Sequence, residues 1–257
     1  MSDGNQPEQG IMTRVEDCDF EGRVVVNWKT CNWQPYPAID GGETDLMWNP
    51  VRAEPGPGDG TYLLKVAPGG GAKLHQHSGQ EEFVVLDGEL VDGDGTVLKT
   101  GDVVSYNPGT RHRTNSPKGC ILMVWIQEPI DTVEGDDELE AMKEGRTIVN
   151  WQSAAFTRYP SLPETADPID WHKIRADPAT GQGLSLIQFF PGTSSALHEH
   201  TGWEEFVVLQ GELSDPDGTT YVTGDVVSLP PGSRHGSHSG PGCITAVVIE
   251  RPLLSLV

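Results

Sequence analysis

The chain is short of positive charge. It carries 17 lysines and arginines against 38 acidic side chains in 257 residues, for a formal net charge of −21. A surface that tracks phosphates needs clustered Lys and Arg, so nucleic acid is not expected as a direct partner. The acidity is read as a solvated surface. Long apolar runs are missing too. No stretch approaches the roughly 20 apolar residues of a membrane span, and Met1 opens a polar segment, SDGNQPEQG, without the basic and apolar regions of a secretory leader. No membrane contact and a cytoplasmic location are therefore expected. Four cysteines in a chain of this length make no disulfide framework. Cys120 and Cys243 each precede an apolar run and are read as small buried hydrophobes. Sustained helical periodicity is absent.

Glycine and proline are plentiful, at 31 and 20 residues. They punctuate short runs rich in Val, Ile, Leu and Thr, as an antiparallel all-β fold requires. One stretch organises the rest: Gly69 to Gly88, GGGAKLHQHSGQEEFVVLDG. On a strand, alternate side chains share a face, so His75 and His77 point the same way. Glu81 follows, and a further strand and Pro-Gly turn lead to His112. Three imidazoles and a carboxylate are a ligand set for a first-row metal.

The pattern occurs twice. Gly192 to Gly211, GTSSALHEHTGWEEFVVLQG, places His198, His200 and Glu204 123 positions beyond His75, His77 and Glu81, and His235 stands at the same offset from His112. A lone His-x-His is weak evidence. Two complete sets at identical spacing are hard to assign to structure alone.

The spacing Gly-x5-His-x-His-x3-Glu-x6-Gly, followed by Gly-x5-Pro-x-Gly-x2-His, resembles the two motifs of the cupins. Asn107 replaces the first proline in the first half. The phrases from Gln80 to Glu89, Asn107 to His112 and Lys118 to Cys120 look most similar to the cupin domain of ChrR-type anti-sigma factors. That resemblance implies an all-β chain of two tandem cupin barrels, each a double-stranded β-helix or jelly roll, with one divalent metal per barrel. Zinc is the metal it implies, while iron, manganese and nickel also suit these ligands. The anti-sigma domain's own His-x3-Cys-x2-Cys zinc motif is not found here.

The repeat divides the chain into a flexible lead-in (1–21), a first cupin domain (22–128), an acidic linker (129–144) with one or two possible helical turns, and a second cupin domain (145–257). Gly22 to Trp28 returns as Gly145 to Trp151; these strands are candidates for exchange between the halves, or edges of their own barrels. Tyr36 and Trp48, with Tyr159 and Trp171, are expected as core anchors. Arg52 and Arg175 are expected to pair with the nearby acids Glu54 and Asp177. Asp92-Gly-Asp-Gly95 and Asp215-Pro-Asp-Gly218 read as hairpin turns. Arg111 and Arg234 should face away from the histidines beside them.

Lys73 falls on the face of His75 and His77 if the alternation holds, which makes it a candidate contact for an anionic substrate in the first pocket. Replacement of Gln80 by Trp203, and of Asn115 by His238, would make the second pocket narrower and differently polar. Two functions follow from the ligand set. Four-coordinate zinc would be saturated, as in a binding or sensory module of the ChrR type. Six-coordinate iron, manganese or nickel would keep two positions open, as in a non-haem dioxygenase cleaving a small diketone or hydroxyaryl ketone. Whether the chain is an enzyme stays open at this level, as do a small-molecule ligand and a homodimer.

Overall fold

The computed structural model describes residues 14–37, 45–53, 60–133, 145–160 and 166–256. Glu54 and the acidic stretch 134–144, including its expected helical turns, lie outside the described residues. Two large antiparallel sheets dominate. The first runs, in spatial order, Arg146–Asn150, Asp102–Tyr106, Glu81–Asp92, Cys120–Ile126, Gly60–Val66, Leu46–Arg52 and Gln34–Pro35. The second repeats it with Val24–Asn27, Asp225–Leu229, Glu204–Ser214, Cys243–Ile249, Gly183–Phe189, Ile169–Lys173 and Thr157–Arg158. A three-stranded sheet completes each half: Ile130–Thr132, His75–His77, Arg111–His112 in one, and Arg234–His235, His198–His200, Leu253–Ser255 in the other. The fold is two tandem cupin barrels.

The outermost strand of each large sheet comes from the other half of the chain. Val24–Asn27 pairs antiparallel with Asp225–Leu229, and Arg146–Asn150 with Asp102–Tyr106. Exchange, rather than an edge in the parent barrel, is what the structure adopts. A polar contact accompanies each register: Asn27 donates to Asp225 and Asn150 to Asp102, both at 2.8 Å.

Strand alternation explains the cores. In the run after Glu81, Phe83 and Val85 point into the first barrel, where Trp48, Tyr62 and Tyr106 also pack. Val84 points the opposite way. It joins Leu63, Val103, Met123, Leu184, Leu186, Val207 and Val226 in a third core between the barrels, against which Val26 and Val149 of the exchanged strands also pack. Both faces of these strands are thus buried, and the halves share one interface. The pairing of the long strand shifts register between Val85 and Asp87, and just beyond, Gly88, at φ +81°, lies so close to its neighbour that a Cβ there would sit 2.2 Å from the Gly119 carbonyl oxygen. Gly211 is constrained in the same way by Gly242. Tyr36 and Trp48 meet edge to face, and Tyr159 packs on Trp171, as core anchors.

Several expectations are corrected. Ile130–Thr132, assigned to the linker, is a strand paired with His75–His77. Of the lead-in read as flexible, residues 1–13 lie outside the described residues, while its described end holds Asp19 against Arg234 and sets the Phe20 ring edge-on to His235, 6.4 Å away. Arg52 pairs with Glu205 across the barrel interface, its expected partner Glu54 lying outside the described residues, and Arg175 pairs with Glu82 across the same interface rather than with Asp177. The physical reason is alternation again. Glu82 and Glu205 follow the inward glutamates and so face the partner barrel. Among the described residues no helix is long and apolar enough to cross a membrane.

Candidate metal centres

Each three-stranded sheet brings the ligand residues together. His75 and His77 lie on one short strand, and His112 pairs directly opposite His75. Glu81 enters as the first residue of the long strand. The second half repeats this, with His198 opposite His235. In each cluster one nitrogen or oxygen from every residue lies within 4.8 Å of all the others. His77 and His112 bring their Nε2 atoms to 2.9 Å in the first cluster. All four residues there are buried; in the second cluster His198 is half-buried.

Fixed partners set the ring orientations. His75 Nδ1 lies 2.7 Å from the Lys73 carbonyl and His198 Nδ1 2.9 Å from that of Ala196. A carbonyl only accepts, so these Nδ1 atoms carry hydrogen and the Nε2 lone pairs face the cluster. His112 Nδ1 and His235 Nδ1 each lie 3.2 Å from a carboxylate, Asp92 and Asp215. In the second cluster His198 Nε2, His200 Nε2 and His235 Nε2 are buried and find no hydrogen-bond partner among the described residues. Buried acceptors without donors are what a cation satisfies, and carboxylate-backed imidazoles are how proteins present such ligands. The residues fit a divalent metal.

The electrostatics of the two clusters differ. Glu81 lies 3.0 and 3.1 Å from His77 and His112. Burial opposes its charge, but those imidazoles overcome it and hold the carboxyl well below the usual range. Glu204 is 3.7 and 3.8 Å from His200 and His235, and burial pushes it up to about 7. Burial brings both His75 and His198 down to about 3. His112 is raised to about 9, because its contacts with Asp92 and Glu81 outweigh burial.

Asp92 and Asp215 open the expected hairpin turns, their carbonyls accepting from Gly95 and Gly218 at 2.8 and 3.0 Å, and their side chains are the missed part of the site. Asp92 is buried and accepts from Tyr106, His112 and Arg146. Asp215 accepts from Tyr221, His235, Ser237 and Arg23. Their equal offset in the repeat was a signal in the sequence, masked by their turn-like neighbours. The tyrosines do not share that offset: Tyr106 corresponds to Leu229 and Tyr221 to Leu98, so one hydroxyl contact is reached from two different strands.

Four of the residues expected to distinguish the pockets, Gln80, Trp203, Asn115 and His238, have partners away from the clusters. Buried Gln80 donates to Ser105, which in turn donates to Glu82. Its counterpart Trp203 lies under the Arg52 guanidinium, 4.9 Å from the ring centre. Both therefore belong to the barrel interface. Asn115 is exposed and reaches the Gly69 and Gly70 carbonyls, while His238 meets the Ser194 hydroxyl at 3.0 Å. Lys73 is exposed, and its carbonyl is what meets His75, since the ligand strand begins only at His75. Arg111 donates to Gln76 at 2.7 Å, on the face away from the histidines, as expected. Burial raises Cys120 to about 11 and Cys243 to about 12, in keeping with inert core thiols.

Two jelly-roll barrels in one chain, each bringing three histidines and a glutamate together, define a two-barrel cupin. The model of the ChrR Cupin-like domain family matches residues 21–129 and 147–252, and the chain belongs to that family. No curated protein matches its sequence. Solved structures with this fold include a protein from Nostoc punctiforme that carries a provisional dioxygenase name, with TM-score 0.71 and 14% identity over 91% of this chain and 87% of that one. A Cupin 2 conserved barrel domain protein from Leptotrichia buccalis gives 0.55 and 13% over 92% and 97%. Oxalate decarboxylase from Bacillus subtilis gives 0.50 and 15% over 97% and 81%. At these identities the likeness is one of fold.

Proposed function

We propose that the protein is a metal-binding sensory bicupin holding two divalent ions, one among His75, His77, Glu81 and His112 and one among His198, His200, Glu204 and His235. The observation that carries this is the pair of clusters with converging, largely buried donor atoms. Zinc is the metal proposed, because four protein donors complete its usual tetrahedral set and leave a closed site. When bound, such an ion supplies a fixed charge and Lewis acidity. The chain's residues do the rest: backbone carbonyls hold His75 and His198 in one tautomer, Asp92 and Asp215 hold His112 and His235, and the barrel interior limits water. A reducing, cytoplasmic setting suits the four free thiols. Lys73, exposed beside the first site, is proposed as the contact for a small anionic ligand, and a homodimer is the proposed assembly.

A second reading is a non-haem dioxygenase loaded with iron, manganese or nickel. Its support is the fold shared with the Nostoc punctiforme protein. Elemental analysis of purified protein, followed by oxygen uptake on small diketones after iron loading, separates the two. Zinc without uptake upholds the first reading; native iron with uptake replaces it by the second. Titration of a small dicarboxylate into Lys73→Ala protein tests the ligand contact, which parent-like binding would remove from the proposal.

A further inference from the structure

Each exchanged strand carries an arginine at or just before its start. Arg146 opens the strand Arg146–Asn150 from the second half, and its guanidinium, with 9% of the side chain exposed, enters the first barrel. There it contacts Asp92, lies 2.9 Å from Asp94 and 2.9 Å from Thr96, and so bridges the turn. Asp92, whose side chain is fully buried, takes the His112 Nδ1 contact. Arg23, from the first half, enters the second barrel. It lies 3.3 Å from Asp215, 2.7 Å from Asp217, 2.8 Å from Thr219 and 3.0 Å from the Tyr221 hydroxyl. Asp215 is likewise fully buried and contacts His235.

A buried carboxylate is costly unless it is paired, and one that must orient an imidazole has to be held in a fixed plane. An arginine fork does both, and a lysine does only the first. The tyrosine contact to each aspartate is reached from a different strand in the two barrels, whereas the arginine keeps its equivalent position and crosses over both times.

Resting on the metal-binding reading, we propose that Arg146 and Arg23 are positioning residues, each for the metal site of the opposite half. Arg146 acts through Asp92 on His112, and Arg23 through Asp215 on His235. Each site is then completed by the other half of the chain.

Full-length protein titrated with cobalt(II) tests this. In a His198→Ala/His200→Ala background only the first site remains. There Arg146→Gln should weaken cobalt binding about tenfold, the lower end of the effect of losing an outer partner of a ligand, and shift the visible absorption of the bound ion. Arg23→Gln should leave that site unchanged. In a His75→Ala/His77→Ala background the roles reverse. Arg146→Lys, expected to fold whether or not the Gln variant does, should restore part of the first-site affinity but not the parent spectrum. Circular dichroism melts verify the folded state of each variant. Unchanged affinity and spectrum at the first site in both Arg146 variants would overturn the proposal. So would equal weakening of both sites, or an effect confined to the half that carries the substitution. Cobalt bound nowhere in the parent protein would instead overturn the metal-binding reading itself.

Discussion

Arg52 and Glu205, 153 positions apart in the chain, meet in a two-pronged ion pair with both arms at 2.9 Å. Arg175 and Glu82 repeat it at 2.7 and 3.0 Å. These pairs flank the apolar core between the barrels and tie its two sides together.

Removing Arg52 leaves Glu205 buried with Thr61 and Ser228 as its remaining donors. Breaking a buried pair costs about 3–5 kcal/mol. Because Arg52 is partly exposed and both hydroxyls persist, Arg52→Ala is expected nearer about 2 kcal/mol. Urea unfolding measures it; a loss below about 0.5 kcal/mol, the scatter of ordinary surface changes, would rule out a stabilising role.

Metal stoichiometry is the simplest test of the clusters. Parent protein should bind two ions per chain, and His75→Ala with His77→Ala should reduce that to one, with the second site still filled. An unchanged value of two would remove these residues as ligands.

The tyrosine arrangement invites a swap. Tyr106→Phe or Tyr221→Phe should cost about 1–3 kcal/mol, since a buried aspartate loses a donor. Tyr106→Leu alone should cost more, because a cavity joins the lost bond. Adding Leu98→Tyr builds the second barrel's arrangement into the first and should recover part of the loss. A double variant less stable than Tyr106→Leu would show that the two routes to the aspartate are not interchangeable.

The pH dependence of metal-free protein follows from opposed shifts. His75 and His198 sit near 3 when folded, against about 6.5 unfolded. As pH falls below about 6.5 the unfolded chain takes up protons first. Each histidine can then remove up to about 1.4 kcal/mol of stability per pH unit until pH approaches its folded value. His112, raised to about 9, has the other sign: its contribution is complete below about 6.5 and is lost as pH rises through about 9. Glu204, raised to about 7, lowers stability as pH rises from about 4.5 to 7 and so offsets part of the histidine effect there. Melting temperature with chelator present should therefore peak near pH 6.5, and bound metal should raise the acid side by competing with protons. A flat profile between pH 7 and 4 would contradict this.

Much of the fold and of the inner site was legible in the sequence. The repeat, the His-x-His spacing and the glutamate four residues on are local features, and a strand's two-residue period places them on one face without knowledge of any partner. The same period sets Glu82 and Glu205 opposite Glu81 and Glu204. What they would face there depended on tertiary structure.

The remainder needed contacts between distant segments. Asp92 sits in a Gly- and Asp-rich turn, and only the arrival of His112, Tyr106 and Arg146 from three other strands makes it part of the site. Arg175 has Asp177 two residues away, yet bonds Glu82 in the other barrel, because that side chain packs across the shared interface. Exchange of Val24–Asn27 and Arg146–Asn150 could not be read from either strand, since a short Val-rich strand suits any open sheet edge. The sequence by itself determined which side chains share a face, because that is set by backbone geometry within a few residues. The choice of barrel edge for each strand, and with it the arginine behind each site, was decided only in the folded chain, where Val26 and Val149 are covered by the shared core and Arg23 and Arg146 meet buried carboxylates.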